Sequence, residues 1–171
     1  MIDIKSLSAA YTPRRLTDSD IEDVFRLCSG NPQYYIHIPP PVCRESISAD
    51  MRALPPGMTA DDKYYIGYFD GGRLAAVLDL ISGYPEKGVA YIGFFMVDAA
   101  MQSCGVGSVI INELCRYLSD RGFASVRLAW ADGNNQAERF WLKNGFSKTG
   151  SVKKDECILI TAQKILNPIF N

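Results

Sequence analysis

The sequence predicts a single α/β domain built on a mixed sheet, and three observations carry that prediction. Short apolar segments separated by turn residues fill its middle; apolar stripes at helical spacing lie before and after them; and the order runs from hairpins to a later strand–helix–strand unit. The chain has 171 residues, 47% of them hydrophobic, which suits one domain of ordinary size with a proper core.

Each element can be justified in turn. Thr17 or Asp18 caps a helix running to about Ser29, with Ile21, Val24, Phe25 and Cys28 on one stripe and Gly30 as its stop. Asn31–Pro32, an aromatic stretch from Tyr34 to Ile38 and the prolines at 39–41 read as a loop. A short helix from Glu45 to Leu54 ends at Pro55–Pro56–Gly57. Tyr64–Phe69 and Leu74–Ile81 are hairpin partners across Asp70–Gly71–Gly72, and Ala90–Val97 is a further apolar strand after the turn at Gly83–Tyr84–Pro85. Val109, Ile110, Leu114, Tyr117 and Leu118 make a helical stripe that ends at Arg121–Gly122. Val126, Leu128 and Trp130 alternate as a strand, Asn135–Asn144 is a helix closed by Gly145, and Phe146–Thr149 and Glu156–Gln163 are the last strands. No repeat or low-complexity tract interrupts this order.

Charge and cysteine usage exclude several classes. Eighteen basic and nineteen acidic residues leave a net charge of −1, which gives no electrostatic footprint for nucleic acid and no basic cluster for an anionic membrane. Cys28, Cys43, Cys104, Cys115 and Cys157 are odd in number and lack a CxxC spacing, so neither a disulfide framework nor a zinc site is expected and a cytoplasmic setting is. Residues 1–16 contain no continuous apolar stretch of the signal-peptide kind, and the longest apolar run, Val89–Val97, is too short to cross a bilayer as a helix.

The most informative segment is Gln102–Ser103–Cys104–Gly105–Val106–Gly107, set between a strong strand and a strong helix. Glycine lets the backbone approach a ligand closely, and the helix start offers unpaired N–H groups with a partial positive charge. Such a junction is suited to a pyrophosphate, although the same spacing also serves a tight strand-to-helix turn. Two nucleotide motifs fail: no Lys follows Gly107 as a P-loop requires, and position 110 is Ile where a dinucleotide fingerprint has its third Gly. Cys104 at the helix start could favour a thiolate, but a small residue lending its backbone N–H is the simpler reading.

Val97 followed by QxxGxG resembles the acetyl-CoA signature of Gcn5-related N-acetyltransferases (the GNAT family). The stretch from Asn134 to Phe146 is similar to that family's second motif, an N-x-x-A helix with an aromatic pair and a closing G-F. The resemblance covers about residues 60–165, the acetyl-CoA-binding core. The first 60 residues match only as an acceptor-side pair of helices and a loop, within a single acetyltransferase domain spanning 1–171. It implies a mostly antiparallel sheet of six or seven strands, splayed in the middle and flanked by about four helices. It further implies that pantetheine pairs with the backbone of Phe95 and Val97, that a strand N–H near Phe95 or Met96 serves the oxyanion, that the amides of Gln102, Ser103, Cys104, Gly105, Val106, Gly107 and Ser108 hold the pyrophosphate, and that Asn134 reaches the pantetheine arm. A side chain at Gly105 or Gly107 should then fill the space the pyrophosphate needs, with little effect on folding. Asn134 and Asn135 also read as helix caps, Asn135 with Glu138 forming a capping box. Trp141 is either core or a contact near the thioester.

The match departs from the family at its proton-transfer positions. Where many members carry an acidic Tyr this chain has Trp141, whose indole N–H is no useful acid. Where histone-type members carry a basic Glu it has Tyr91, so Tyr91 and Glu86, with Tyr84, are the replacements to consider. Tyr34, Tyr35 and His37, the sole histidine, lie on the loop that borders the acceptor pocket in this family. The resulting expectation is transfer of acetyl from acetyl-CoA to a primary amine of a small molecule or peptide by direct attack in a ternary complex, without a metal, nucleic acid or membrane partner. A homodimer stays open. The alternative is a non-catalytic acyl-CoA-binding sensor or interaction module, favoured by the two departures.

Overall fold

Seven strands form one sheet in the computed structural model, which describes residues 2–167, in the order β1-β2-β3-β4-β5-β7-β6. The strands are β1 (Thr12–Arg15), β2 (Lys63–Asp70), β3 (Arg73–Ser82), β4 (Val89–Val97), β5 (Ser125–Ala131), β6 (Ser147–Lys154) and β7 (Cys157–Ile165). Every neighbouring pair is antiparallel except β4 and β5, which run parallel because a helix connects them. The helices are α1 (Ile21–Ser29), α2 (Pro32–His37), α3 (Arg44–Arg52), α4 (Val106–Asp120) and α5 (Asn135–Lys143). None of the described helices is long and apolar enough to cross a membrane.

Two apolar clusters sandwich the sheet. On one face Ile110, Leu114 and Leu118 of α4 and Trp141 of α5 pack on Leu78, Leu80, Ile92, Val126 and Leu128. On the other, Val24, Leu27 and Cys28 of α1 and Ile47 of α3 cover Tyr65, Val77 and Met96. Removing a side chain such as Leu114, which is fully buried, would cost about 2–5 kcal/mol.

Two elements differ from the sequence expectation. The seventh strand, β1, has no counterpart in it: this strand is four residues long, contains Pro13, buries one side chain and pairs only with β2. Pro is tolerated there because the strand is an edge. The segment expected as a loop at 32–37 is the helix α2, which starts on Pro32, a residue suited to a first helical turn. The splay implied for the sheet is present. Pairing of β4 with β5 runs from Val89↔Ser125 to Ile92↔Leu128 and stops there, although both strands continue.

Gly93 marks the parting. Asp79 pairs with Phe94 and Leu80 with Ile92, so Gly93 is an extra residue in β4 opposite β3. Before it Ala90 and Ile92 face the α4 cluster; after it Phe95 and Val97 do, while Phe94 and Met96 face the α1 cluster.

Candidate active site

Beyond Gly93, the hydrogen-bond pattern decides what β4 offers. Asp98 N–H donates to Ala75 C=O at 2.8 Å, which makes Ala76–Val97 and Leu78–Phe95 the pairs without mutual hydrogen bonds. Phe95 and Val97 therefore turn their backbone groups away from β3, toward the side that β5 has left. Met96 turns its own toward Val77 of β3, so of the two N–H groups expected for an oxyanion only that of Phe95 faces the opening. The Val97 carbonyl is partly engaged, accepting from the side-chain amides of Gln102 at 3.0 Å and Asn31 at 3.2 Å.

The turn after β4 delivers the chain to α4. Gln102 works here as a brace. Its Nε2 also donates to Asn31 Oδ1, and its Oε1 accepts from Gln136 Nε2 at 3.1 Å, tying the end of β4 to the α1–α2 junction and to α5. Gln102 N–H reaches Ala99 C=O, and the next amide with an acceptor among the described residues is Val109, bonded to Gly105 C=O at 3.0 Å. The amides of Ser103, Cys104, Gly105, Val106, Gly107 and Ser108 lie between them at the positive end of a 15-residue helix. Ser103 and Gly105 have φ of 60° and 86°, a left-handed geometry that lets successive N–H groups form an anion-binding concavity.

The two glycines do different jobs. At Gly105 no atom lies within 4 Å of an added Cβ, but its φ of 86° strains any side chain, so the expectation of an undisturbed fold is corrected here. At Gly107 an added Cβ would stand 2.9 Å from Phe140 Cε2 and 3.3 Å from Val97 Cγ2, so this glycine permits α4 to pack on α5 and β4. The expectation that a side chain at 107 leaves the fold undisturbed is corrected on that ground.

Across the opening, Asn134 caps α5, its Oδ1 accepting from Ala137 N–H at 3.0 Å. The cap is thus Asn134 and not Asn135, and its side-chain NH2 has no acceptor among the described residues. Trp141 belongs to the core: it is 7% exposed, with ring centroids 4.9 Å from Phe140, 5.1 Å from Phe146 and 5.9 Å from Phe95. Helical periodicity places it on the inward stripe of α5.

The opposite face of β4 meets α2. Tyr34 packs edge-on against Phe94 at 5.6 Å and against Tyr35 at 5.0 Å. Burial pushes the Tyr34 hydroxyl up to about 12, and burial and neighbouring Cys28 push Tyr35 up as well, so both are neutral donors. His37 is tied instead to β7, its carbonyl accepting from Cys157 Sγ at 3.7 Å at the start of that strand. Tyr91 is half-buried, pairs with Ile81 and Arg127 in the closed part of the sheet and stacks edge-on with Tyr84 at 5.6 Å. Burial, reinforced by Tyr84, raises its pKa, so it holds its proton more firmly than an ordinary phenol. Glu86 is exposed and paired with Arg127 at 3.1 Å. The structure therefore gathers Tyr34, Tyr35 and Phe94 on one wall and leaves Glu86 apart, tied to Arg127.

Sequence reasoning missed one pair on this face. Lys63 Nζ donates to both carboxylate oxygens of Asp79 at 2.8 Å, with only 5% and 13% of the two side chains exposed. Burial raises the Asp79 pKa; Lys63 opposes the rise and Asp50 adds to it. The available signal was one acidic residue inside an otherwise apolar strand, Leu74–Ile81. Among the described residues no three His, Cys, Asp or Glu side chains converge as a metal site.

Comparison with known proteins agrees with this geometry. The sequence profile of the Acetyltransferase (GNAT) family matches residues 31–146. No curated protein matches the sequence. Among solved structures, an acetyltransferase from Thermus thermophilus superimposes with a TM-score of 0.74 at 20% identity, covering 92% of this chain and 97% of that one. The AAC(6')-Ib structure in complex with ribostamycin and coenzyme A gives 0.71 at 14% identity, covering 91% and 93%. The ribosomal-protein-S18-alanine N-acetyltransferase from Escherichia coli gives 0.67 at 15% identity, covering 91% and 94%. At these identities the likeness is one of fold.

Proposed function

Because the chain belongs to the acetyltransferase (GNAT) family and is thereby an acyltransferase, we propose that it moves acetyl from acetyl-CoA to a primary amine of a small molecule or peptide, by direct attack while both substrates are bound. The observation that carries this reading is the parting of β4 from β5 beside the bare amides of Ser103–Ser108.

The residues present fit such a substrate. A pantetheine arm is an extended chain of amides, and Phe95 and Val97 turn backbone groups into the gap as the edge of a ladder would. The helix start and the left-handed turn at Ser103 and Gly105 suit a pyrophosphate without any Lys. The spare NH2 of Asn134 suits an amide carbonyl on the far side of the gap. Phe95 N–H, directed into the opening, is the donor best placed for an oxyanion formed there. The solved complex of AAC(6')-Ib with ribostamycin and coenzyme A supports the pairing of an amine with this cosubstrate.

On the acceptor side, Tyr34 and Tyr35 supply aromatic faces and neutral hydroxyls that can hold an amine without trapping it as an ion pair, and His37 stands at the rim. Tyr91 contributes a protonated hydroxyl, suited to orienting a water. Five free cysteines support a reducing, cytoplasmic setting.

The test has two arms. Calorimetry and thermal melting with acetyl-CoA should show binding. At ~100 times its Kd the ligand adds roughly 2.7 kcal/mol, about 5–10 °C in Tm for a domain of this size. Release of CoA thiol is then followed with 1,4-diaminobutane, kanamycin and an alanyl peptide. A flat melting response to saturating acetyl-CoA and CoA would overturn the reading.

A further inference from the structure

The bulge at Gly93 places a carboxylate at the mouth of the opening. An ideal Cβ on Gly93 would lie 2.9 Å from Asp79 Oδ2 and 3.4 Å from Asp79 Cγ, so the carboxylate occupies the space that a side chain at position 93 would take. Gly93 is also the first residue of β4 after its last pair with β5, Ile92↔Leu128. Asp79 thus stands over the backbone just where the sheet parts, one residue before Phe94 and two before Phe95. It lies on the sheet face that carries Tyr65, Phe94 and Met96, the face lined by Tyr34 and Tyr35.

We propose that Asp79 accepts the proton of the acceptor amine at this opening and that Lys63 is the residue that positions it; the proposal rests on the acetyl-transfer reading above. The acceptor arrives as an ammonium and cannot attack until it has lost a proton. That proton passes to the Asp79 carboxylate and from there to solvent. The freed lone pair forms a bond to the thioester carbonyl carbon. The carbon–sulfur bond then breaks, its electrons leave on sulfur, and the second nitrogen proton goes to that sulfur. The products are the acetamide, CoA thiol and one released proton.

The other titratable groups on this face are less suited. Tyr65, Tyr34, Tyr35 and Cys28 all hold their protons more tightly than usual because they are buried. Tyr91 does the same. Glu86 is turned to Arg127 in an exposed loop. Asp50 on α3 faces the pair as a second negative charge, while the three atoms nearest the bulge all belong to Asp79. An ordinary carboxylate is a weak base toward an ammonium; burial of Asp79, opposed by Lys63 and assisted by Asp50, moves it in the useful direction while it remains hydrogen-bonded. The two contacts from Lys63 Nζ fix both oxygens, and 13% of the Asp79 side chain remains exposed.

Asp79→Asn alone would leave Lys63 buried without its partner, so the test uses it beside the double variant Asp79→Asn/Lys63→Met, which removes both charges together. The acceptor is whichever of 1,4-diaminobutane, kanamycin and the alanyl peptide the wild-type protein acetylates fastest. The expected result is a fall in kcat of ~10²-fold or more at pH 7 in the double variant, with partial recovery as the pH approaches the pKa of the amine and with acetyl-CoA affinity unchanged. Gly93→Ala, which pushes the carboxylate aside, should lower kcat by about tenfold while Asp79 is still present. A folded double variant that binds acetyl-CoA and keeps wild-type kcat with the same pH profile would overturn the proposal. A purely structural role would lower Tm and kcat equally at every pH, which also counts against it. Failure of the parent reading shows separately, as absence of acetyl-CoA binding to the wild-type protein.

Discussion

Gly107 and Phe140 are packed so closely that one methyl group cannot be placed between them: a Cβ at 107 would approach the ring to 2.9 Å. The contact joins the start of α4 to α5, and the second glycine of the Gln102–Gly107 segment is therefore a packing residue. Gly107→Ala should lower stability by about 1–3 kcal/mol without any ligand present. Adding Phe140→Leu should return part of that loss, because the ring is the group in the way. Urea titration of the two proteins checks this; an unchanged midpoint in Gly107→Ala would refute it.

Asn134 caps α5 through Oδ1, which leaves its side-chain NH2 for the proposed contact with pantetheine. Asn134→Ala removes the cap on Ala137 and should cost about 1 kcal/mol. Asn134→Ser keeps a capping oxygen but lacks the NH2, so it should melt close to wild type yet bind acetyl-CoA several-fold more weakly. Calorimetry beside thermal melting separates the two effects. Equal affinity in wild type and Asn134→Ser would confine Asn134 to capping.

Tyr91→Phe keeps the ring on Tyr84 and deletes the hydroxyl. With its proton held firmly, Tyr91 is better suited to orienting water than to acting as a base, so kcat should fall by less than ~10²-fold. Tyr34→Ala, by contrast, should raise the acceptor KM and leave acetyl-CoA affinity unchanged, since its ring lies on Phe94 and away from the α4 amides. Steady-state kinetics varying each substrate in turn reads both. A loss of acetyl-CoA affinity in Tyr34→Ala would move α2 to the other side of the cleft.

Buried thiol and phenol groups set an alkaline limit. Burial raises Cys28 from 9.0 to about 11 and Tyr34 from 10.0 to about 12, and raises Tyr35 and Tyr65 as well. Each group binds its proton more tightly in the folded chain than in the unfolded one. The stability this contributes is complete below about pH 9 and is lost as pH rises from there through the folded values. The urea midpoint should therefore fall between pH 9 and 11, and less steeply in Cys28→Ala. Iodoacetamide should label exposed Cys43 and Cys104 well before buried Cys28. A midpoint constant to pH 11 would contradict this account.

What could be read in the sequence, and what could not, divides by the range of the interactions involved. The stripe Ile110, Leu114 and Leu118 and the glycine at 105 announce α4 and the turn before it, because period and φ preference are local properties. The same holds for the α1 stripe and for the β2–β3 turn at Gly71–Gly72. β1 has no local signature: four residues with a proline become a strand only because β2 offers an edge. α2 is hidden by Pro32, which can open a helix as readily as it breaks one. Asn134 and Asn135 are alike as caps until the geometry of the turn after β5 selects the first. Lys63 and Asp79 are 16 residues apart, and their pairing needs the register Tyr65↔Asp79 to be known. The motifs themselves point to the cleft, but the carboxylate over Gly93 appears only once β3 and β4 are set side by side.

The surplus residue in β4 adds contour length without changing which side chains face where. Even-numbered positions, Ala90 and Ile92, point to α4 before Gly93, and odd-numbered ones, Phe95 and Val97, do so after it. Ile92 and Phe94 already stand opposite consecutive residues of β3, Leu80 and Asp79, as they would in an unbroken ladder. A chain lacking Gly93 would therefore keep Phe95 against Phe140 and Phe94 against Tyr34. What it would lose is slack. A strand one residue longer than its neighbour must bow, and this bow falls where β4 leaves β5. Without the excess, β4 could lie straight and close against β5 like a zip drawn to its end. Such a deletion should leave a folded protein whose Tm no longer responds to acetyl-CoA, with every side chain of the site still on its own face. On this account one spare length of backbone opens the sheet, and the Gln102 brace holds the parted end in place.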